Sequence, residues 1–334
     1  MIRFFTREKS AAGMLSPPYM DLLNTEINRN LTDHKRMNME QKRILALGFF
    51  DGVHLGHGAL LTACRRMAEE MGCQAGAVTF TTHPDALVRG KAPALINTPA
   101  DRERIMGEQY HMDTVIALPF DREMMAMSWK RFFYMLKDEY RAAGLVCGHD
   151  FRFGRFGKGN SAALRAICRA YRLPCVVIKE QKIDDIIISS THIRGLLEEG
   201  RMEEAVRFLG HPHFLTETVV QGRHLGHKLG FPTANLLLPE NVVCPKHGVY
   251  ACKVRFGNEE HLAVANVGHR PTVHGHRLTI EPWILDFEGD LYGRQITLEF
   301  YSFLRPEQKF PDIEQLRKAV MADANQTRIF FANK

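Results

Sequence analysis

The sequence predicts a fold in two parts, an α/β part built on a parallel sheet and then a small antiparallel β-barrel with a terminal helix. Between Arg43 and about residue 207, short apolar segments alternate with amphipathic ones, which is typical of a parallel sheet covered on both faces. After about Leu209, strand-like segments follow one another with only Gly, Pro and His turns between them, as in a small barrel. The length of 334 residues fits two domains of about 150 residues each.

The α/β part opens with the strand RILALGFF, which is followed by a turn rich in Gly and His and then by a helix. One face of that helix is predicted to be buried, because its apolar residues recur at helical spacing: Leu60, Leu61, Cys64, Met67, Ala68 and Met71. Later buried strands are predicted at AGAVTF, DTVIALPF, AGLVCG and LPCVVIK, with a helical stretch at DREMMAMSWKRFFYMLKDEY.

Six strands are predicted in the second part: LTETVV, TANLLL, GVYACKV, LAVANVG, TIEPWILDF and QITLEFYSFL. In the last of these, alternation turns Thr297 and Glu299 outward and points the apolar residues to a core: Ile296, Leu298, Phe300 and Leu304. A helix over about residues 313–330 closes the chain. The break Gly210-His211-Pro212 marks the boundary, so we predict a weakly ordered extension at 1–40 and domains at 41–207 and 208–334.

Composition places the chain among folded cytoplasmic proteins. Apolar residues make up 45% and charged residues 25%, which is the balance of a globular protein. The net charge of +6 is spread along the chain and fits phosphorylated small molecules as well as nucleic acid. Seven cysteines without a Cys-x-x-Cys pair predict reduced thiols. No apolar run approaches the roughly 18 residues of a membrane span, and no secretory signal is visible.

The first segment with chemical meaning is the turn at residues 48–57, Gly-Phe-Phe-Asp-Gly-Val-His-Leu-Gly-His, between a strand and a helix. Glycines let the backbone approach a phosphate, the helix N-terminus presents free N–H groups, and two imidazoles three residues apart share a face. A bare His-x-Gly-His is often only structural, but the preceding Phe-Asp-Gly and the strand-to-helix context favour a nucleotide site. The candidates are Gly48, Phe49, Asp51, Gly52, His54 and His57.

A second segment, Ile-Ser-Ser-Thr-His-Ile-Arg at residues 188–194, directly precedes a predicted helix. Its Ser and Thr can simply cap that helix. A capped helix N-terminus also presents N–H groups and hydroxyls to whatever lies beyond it, and an Arg adds a bidentate phosphate ligand. Two helix N-termini from one sheet could therefore clasp one triphosphate, with these candidate ligands: Ser189, Ser190, Thr191 and Arg194.

A third segment, Gly-His-Asp-Phe-Arg-Phe-Gly at residues 148–154, follows the strand LVC. It is either an aromatic loop packed on the sheet or a flat wall with a polar group for a ring system. The candidates for the second interpretation are Asp150, Phe151, Arg152 and Phe153.

Together these segments resemble the nucleotidyltransferase half of the bacterial bifunctional riboflavin kinase/FAD synthetase family, in the family's own order. The second part is independently similar to the kinase signature of that family. The matching residues are Gly222, Gly226, the run 229–235 (Leu-Gly-Phe-Pro-Thr-Ala-Asn), Gly248-Val249-Tyr250, the run 266–272, and the run 281–293. The resemblance covers about residues 43 to 330 and implies a Rossmann-like nucleotidyltransferase domain followed by a riboflavin kinase barrel.

The resemblance implies two reactions, riboflavin plus ATP giving FMN, and FMN plus ATP giving FAD and pyrophosphate. It assigns Glu281 as the base that deprotonates the ribityl 5′-hydroxyl. Thr233 and Asn235 offer a hydroxyl and an amide oxygen, which suit Mg²⁺ bridging ATP phosphates. The remaining assignments are Gly222, Gly226, Gly230 and Pro232 to nucleotide binding, and Arg305 to flavin binding. The expected partners are small molecules only, without nucleic acid, a membrane or an obligate protein partner.

Four positions depart from the family pattern. Phe49 stands where the family usually has Asn, Thr82-His83-Pro84 replaces Pro-His-Pro, and His192 and His227 occupy sites that are often Arg. Histidine is only partly charged at neutral pH, so these changes bear on nucleotide affinity.

Two other functions compete with the enzyme. A flavin or nucleotide sensor that lost one chemistry is disfavoured, because the chemical residues are intact in both halves. An RNA-binding barrel is disfavoured because the barrel lacks exposed aromatics interleaved with Lys and Arg.

Overall fold

The computed structural model describes residues 41–221, 230–272 and 275–334, with residues 269–272 and 275–277 described by their backbone alone. Residues 43–334 form one compact unit. The predicted extension at 1–40 and three positions of the kinase segment, Gly222, Gly226 and His227, lie outside the described residues. Within those ranges, no helix is long and apolar enough to cross a membrane.

The first part alternates strands and helices as its apolar periodicity predicts. In chain order it contains β1 (Arg43–Leu47), α1 (Leu55–Met71), β2 (Gln74–Phe80), α2 (Pro84–Val88), α3 (Pro99–Glu108), β3 (Thr114–Leu118), α4 (Arg122–Ala126), α5 (Trp129–Tyr134), β4 (Ala142–Gly148), β5 (Arg152–Phe153), β6 (Gly159–Asn160), α6 (Ser161–Ala170), β7 (Cys175–Ile178), β8 (Lys182–Ile183), β9 (Ile186–Ile187), α7 (Ser190–Glu199) and α8 (Met202–Leu209).

Five parallel strands form the sheet, in the order β3-β2-β1-β4-β7. The chain winds outward from β1 to one edge and then returns to β4 on its other side, so the order reverses between these two strands. In open α/β sheets, ligands bind at the carboxyl ends of the strands that flank such a reversal. The sheet is therefore Rossmann-like, as predicted, and its switch point is followed by the first and third segments singled out in the sequence.

Strand β1 is buried along its whole length, which explains its unbroken apolar sequence. Helix α1 ends at Gly72, whose φ of 60° lets its N–H donate back to the carbonyls of Ala68 and Glu69. Five of the six predicted face residues of α1 are buried, but Met71 is 43% exposed. It lies in the last turn, where the helix has run past the edge of the core.

The second part contains β10 (His213–Thr218), β11 (Leu236–Leu237), β12 (Gly248–Phe256), β13 (Glu259–Thr272), β14 (Gly275–Ile284), β15 (Gln295–Arg305) and α9 (Ile313–Ala332). The strands form one antiparallel sheet in the order β10-β15-β12-β13-β14-β11. Its two ends approach each other where the Val220 N–H donates to the Asn235 carbonyl at 2.9 Å. The barrel with a terminal helix is thus confirmed as a near-closed sheet.

One expectation for β15 is wrong. Ile296, Leu298 and Phe300 face the core as predicted, but Thr297 and Glu299, expected to face solvent, are only 7% and 5% exposed. Glu299 is covered by the Arg255 guanidinium at 3.1 Å and by the Tyr301 hydroxyl, which donates to it at 2.8 Å. The outer face of β15 is therefore buried by long polar side chains and by neighbouring elements, which alternation alone does not reveal.

Candidate active sites

His54 and His57 lie stacked at the N-terminus of α1, with ring centroids 3.6 Å apart and planes 13° apart. His54 caps the helix, since its Nδ1 accepts the His57 backbone N–H at 3.2 Å. This bond leaves the proton of the neutral ring on Nε2. Burial lowers the pKa of His54 to about 4 and, together with the neighbouring His54, holds the pKa of His57 well below its usual range. Both rings are therefore neutral at neutral pH, and an incoming anion would favour their charged forms.

The turn Asp51–Val53 joins β1 to this histidine pair. Gly52 has a φ of 77°, and a Cβ at that position would lie 2.8 Å from Cδ1 of Ile96, so both conformation and space require glycine. The Asp51 carboxylate is buried, accepts the Ile96 N–H at 2.8 Å and lies 3.6 Å from Nε of Arg194. Burial raises the pKa of Asp51, while the Ile96 bond and Arg194 oppose that shift. Asp51 thus acts as an anchor of the turn.

The Ser-Ser-Thr segment packs directly against that turn. Ser189 caps α7 by accepting the His192 N–H at 3.3 Å, and the Ser190 hydroxyl donates to the Asp51 carbonyl at 2.9 Å. Arg194 approaches the carboxylate of the same Asp51, whereas Thr191 is exposed. The first and second predicted segments therefore meet, and their helix N-termini lie at one place.

Sequence reasoning missed a buried cation beneath the site. Arg102, on α3, is 2% exposed and donates to the carbonyls of Phe49 at 2.9 Å and Phe80 at 2.8 Å, which follow β1 and end β2. Its guanidinium also lies 4.6 Å from the ring centroid of Phe49, and the Thr79 hydroxyl donates a second bond to the same Phe49 carbonyl at 2.8 Å. Arg102 carries no sequence signal, because it is one of several charged residues on a short helix.

Phe49, which departs from the family pattern, contacts His83 with ring centroids 4.6 Å apart in an edge arrangement. His83 directly follows Thr82, another departing position, and caps α2 by accepting the Asp85 N–H at 3.1 Å. The Phe49 ring therefore packs against the histidine that this chain shares with the family pattern.

In the third segment, the aromatic residues pack together and the charged residues are exposed. Phe153 is buried and stacks on Phe151 at 5.3 Å, while Asp150 and Arg152 are exposed. The exposed aromatic of this loop is Phe156, which is 81% exposed and has a φ of 59°. Phe156 could not be identified from the sequence, because neither its exposure nor its left-handed backbone is encoded by a motif.

A cavity of about 740 Å³ opens beside the predicted Mg²⁺ residues of the barrel. The described residues that line it come from the Gly-Phe-Pro-Thr segment, the end of β14 and the loop after it: Val219, Pro232, Thr233, Ala234, Ile284, Phe287, Glu288, Gly289, Asp290, Leu291 and Tyr292. Thr233 pairs with Trp283 through an isolated antiparallel bridge. Asn235 is 4% exposed.

Glu281 lies on β14 opposite Asn266 of β13 and is half-buried. The Thr279 hydroxyl, two residues before it on the same face, lies 3.5 Å from its Oε1. A second cavity of about 510 Å³ includes Gly230, Pro232 and Trp283 in its lining. Trp283 shares the strand face of Glu281, since the two are two residues apart.

Arg305 ends β15, and its guanidinium forms a two-pronged pair with Asp323 of α9, with Nε at 2.9 Å and Nη2 at 2.7 Å. The carboxylate is 5% exposed. Arg305 therefore fastens the terminal helix to the barrel in this structure.

Comparison with known proteins matches each of the two parts of the chain to a known family. The family models for FAD synthetase and riboflavin kinase match residues 36–192 and 209–331. The chain is 34% identical over 292 residues to a bifunctional riboflavin kinase/FMN adenylyltransferase of Listeria monocytogenes, covering 87% of this chain and 93% of the relative. It is 34% identical over 291 residues to that of Escherichia coli K12, covering 86% and 92%.

Among solved structures, the chain is similar to a Streptococcus pneumoniae protein named as a macrolide-efflux protein, with a TM-score of 0.78 and 28% identity over 86% of this chain and 94% of that one. The order of the two family models along the chain matches the order of the two sites described above. The chain therefore belongs to the bifunctional riboflavin kinase/FMN adenylyltransferase family, with the adenylyltransferase in its N-terminal part and the kinase in its C-terminal part.

Proposed function

We propose that residues 41–207 adenylylate FMN to FAD at the stacked histidines, and that residues 208–334 phosphorylate riboflavin to FMN beside Glu281. The observation that carries the first assignment is the meeting of two helix N-termini at Asp51, which links His54 to Ser190. A site made of helix N-termini, hydroxyls and an Arg favours the several phosphates of ATP.

In adenylyl transfer, the FMN phosphate attacks the α-phosphate of ATP and pyrophosphate leaves. This nucleophile is already an anion, so the site needs no base and must instead stabilise charge on the α-phosphate. The Nε2–H of His54 and the ring of His57 are the donors we assign to that oxygen. Burial holds both rings neutral before ATP binds. The negative charge of the bound phosphate favours their protonated forms, which then stabilise the charge that develops on the α-phosphate in the transition state.

Ser190, Thr191 and Arg194 are assigned to the outer phosphates. Ser190 and Arg194 already contact Asp51. Each would therefore stabilise the turn and also bind the leaving pyrophosphate. Thr191 is exposed and free to turn its hydroxyl toward a phosphate. We assign flavin binding at this site to Asp150 and the aromatic loop. Phe151, which stacks on the buried Phe153, supports that loop.

In the kinase, Glu281 accepts the proton of the ribityl 5′-hydroxyl as that oxygen attacks the γ-phosphate. Its half-buried position on a β strand keeps it fixed. Phosphoryl transfer needs little covalent chemistry, so positioning supplies most of the acceleration. Arg305, held by Asp323, is assigned to the flavin end of this site.

The donor chemistry of Thr233 and Asn235 fits Mg²⁺, a hard cation that takes oxygen ligands and keeps several waters. Thr233 lines the 740 Å³ cavity, and Asn235 follows two residues later in the chain. When bound, the ion would neutralise charge on the ATP phosphates. The bridge to Trp283 holds the backbone of Thr233, whose hydroxyl we assign as one of the ligands.

We also place the protein in the cytoplasm with small molecules as its partners. All seven cysteines are free thiols, which supports a reducing compartment.

One assay tests the function directly. The purified chain is incubated with riboflavin, ATP and Mg²⁺, and the products are separated by chromatography. We expect FMN first and FAD later, with both lost when EDTA replaces Mg²⁺. Binding of riboflavin without either product would show a flavin sensor and overturn the proposal.

A further inference from the structure

The boundary motif Gly210-His211-Pro212 lies in contact with the adenylyltransferase turn. We propose that His211 is a positioning residue for adenylyl transfer, through which the start of the barrel part holds the turn that carries the histidine pair. The inference rests on the proposed function, since it assigns a role in the reaction at His54 and His57.

Both ring nitrogens of His211 face carbonyl oxygens, and a neutral ring donates to only one of them. Its Nε2 lies 3.0 Å from the carbonyl oxygen of Gly52, and its Nδ1 lies 2.8 Å from that of Pro212. A carbonyl oxygen only accepts, so a proton on Nε2 makes the first contact a hydrogen bond. Gly52 is the middle residue of the turn Asp51–Val53, and the residue after that turn is His54.

The same turn is held at three further points from the first part of the chain. Its Asp51 carbonyl accepts from Ser190, and the Asp51 carboxylate accepts from the Ile96 N–H and faces Arg194. All these contacts converge on Asp51. His211 holds the following peptide group from the barrel side, through the carbonyl of Gly52.

A second contact from the barrel supports the same inference. The Leu95 N–H donates to the Asn241 carbonyl at 2.7 Å, and the Leu95 carbonyl accepts the Val243 N–H at 2.7 Å. Leu95 directly precedes Ile96, whose N–H holds Asp51. Barrel residues 241–243 thus hold the segment Leu95–Ile96 in place, and that segment holds the Asp51–Val53 turn.

The turn controls where the reacting group of ATP would sit. Because His54 caps α1 directly after the turn, a shift of the Gly52 peptide moves both stacked rings. A displacement of about 1 Å at a reacting centre can cost about 10²-fold in rate. Among the described residues, His211 contacts Gly52 and Phe214 rather than a residue assigned to the kinase, so its loss should act on one reaction alone.

The test compares three full-length variants. His211→Leu removes the donor, while His211→Gln keeps an amide N–H near the position of Nε2. His111→Ala is the matched control, because it removes an exposed histidine that lies three residues after the end of α3 and does not contact the turn. FAD formation from FMN, FMN formation from riboflavin and the urea unfolding midpoint are measured for each.

We expect His211→Leu to lower kcat for FAD formation about 10-fold, with FMN formation within twofold of wild type. His211→Gln should recover most of the lost kcat, and His111→Ala should match wild type. The inference is overturned if His211→Leu forms FAD at the wild-type rate, if both reactions fall equally, or if Gln does no better than Leu. A wild-type chain that makes no FAD would instead overturn the proposed function.

Discussion

Replacement of Gly52 by alanine tests whether the geometry of the Asp51–Val53 turn controls adenylyl transfer. Gly52 has a φ of 77°, and an added Cβ would lie 2.8 Å from Cδ1 and 3.1 Å from Cγ2 of Ile96. The left-handed conformation costs a non-glycine residue about 1–2 kcal/mol, and a methyl forced into a packed site costs about 1–3 kcal/mol. We therefore expect Gly52→Ala to lower the free energy of unfolding by about 2–5 kcal/mol. We also expect the substitution to distort the turn locally.

The distortion should reach the chemistry, because the added Cβ would also lie 3.2 Å from the Ile96 Cβ, and a shift of Ile96 displaces the N–H that holds Asp51. We expect FAD formation to fall by about 10²-fold and FMN formation to stay near wild type. The control is Gly72→Ala, since Gly72 has a φ of 60° with nothing within 4 Å of an added Cβ. It should lose about 1 kcal/mol and neither activity.

Product chromatography and urea unfolding of both glycine variants check these outcomes. The reasoning fails if Gly52→Ala makes FAD at the wild-type rate, or if Gly72→Ala loses as much stability and activity as Gly52→Ala.

Three further changes separate the two sites and test a buried group. His57→Ala should lower FAD formation by about 10² to 10³ and spare FMN formation; equal loss of both products would contradict a two-site enzyme. Glu281→Gln should lower FMN formation from riboflavin by about 10² or more, while supplied FMN is still adenylylated; unchanged kinase turnover would remove Glu281 from the mechanism. His213 is 1% exposed, neither of its ring nitrogens has a hydrogen-bond partner among the described residues, and burial lowers its pKa to about 3. Between pH 6 and 4 the unfolded chain binds a proton there that the folded chain does not, so this residue costs the wild type about 1.4 kcal/mol of stability per pH unit as the pH falls. His213→Phe should remove that dependence, measured by urea unfolding across this range; parallel curves for wild type and variant would contradict it.

The order of strands and helices followed from periodicity, and each of its failures has an identifiable structural cause. The stretch predicted as one helix after β3 is divided, because Met127 is extended and Ser128 then caps a new helix by accepting the Arg131 N–H. The predicted strand TANLLL contributes only Leu236–Leu237. Its earlier residues are used by the Thr233 bridge and by the bond to Val220, which depend on partners far away in sequence.

The site was predictable where its chemistry is local. The stacked histidines and the serine cap follow from a motif at a strand-to-helix turn, so spacing was enough to find them. Arg102 and His211 were not predictable, because each acts on a backbone carbonyl about 50 to 160 residues away. The role of Asp51 as an anchor also depends on Ile96 and Arg194, which only the tertiary fold brings to it.

The change of sequence pattern at residues 210–212 does not coincide with the edge of the barrel's hydrophobic core. The break at residues 210–212 separates the two chain patterns, yet helices α7 and α8 ahead of it bury their apolar faces in the same core as the barrel, where Leu197 and Phe208 belong to one cluster with Tyr250 and Phe300. Helix α7 carries that packing at one face and, at its N-terminus, the Ser190 that holds Asp51. A single helix thus joins the barrel core to the nucleotide turn. Because such helix packing is rigid on the scale of a methyl group, the barrel stabilises the geometry of the adenylyltransferase site as well as its own.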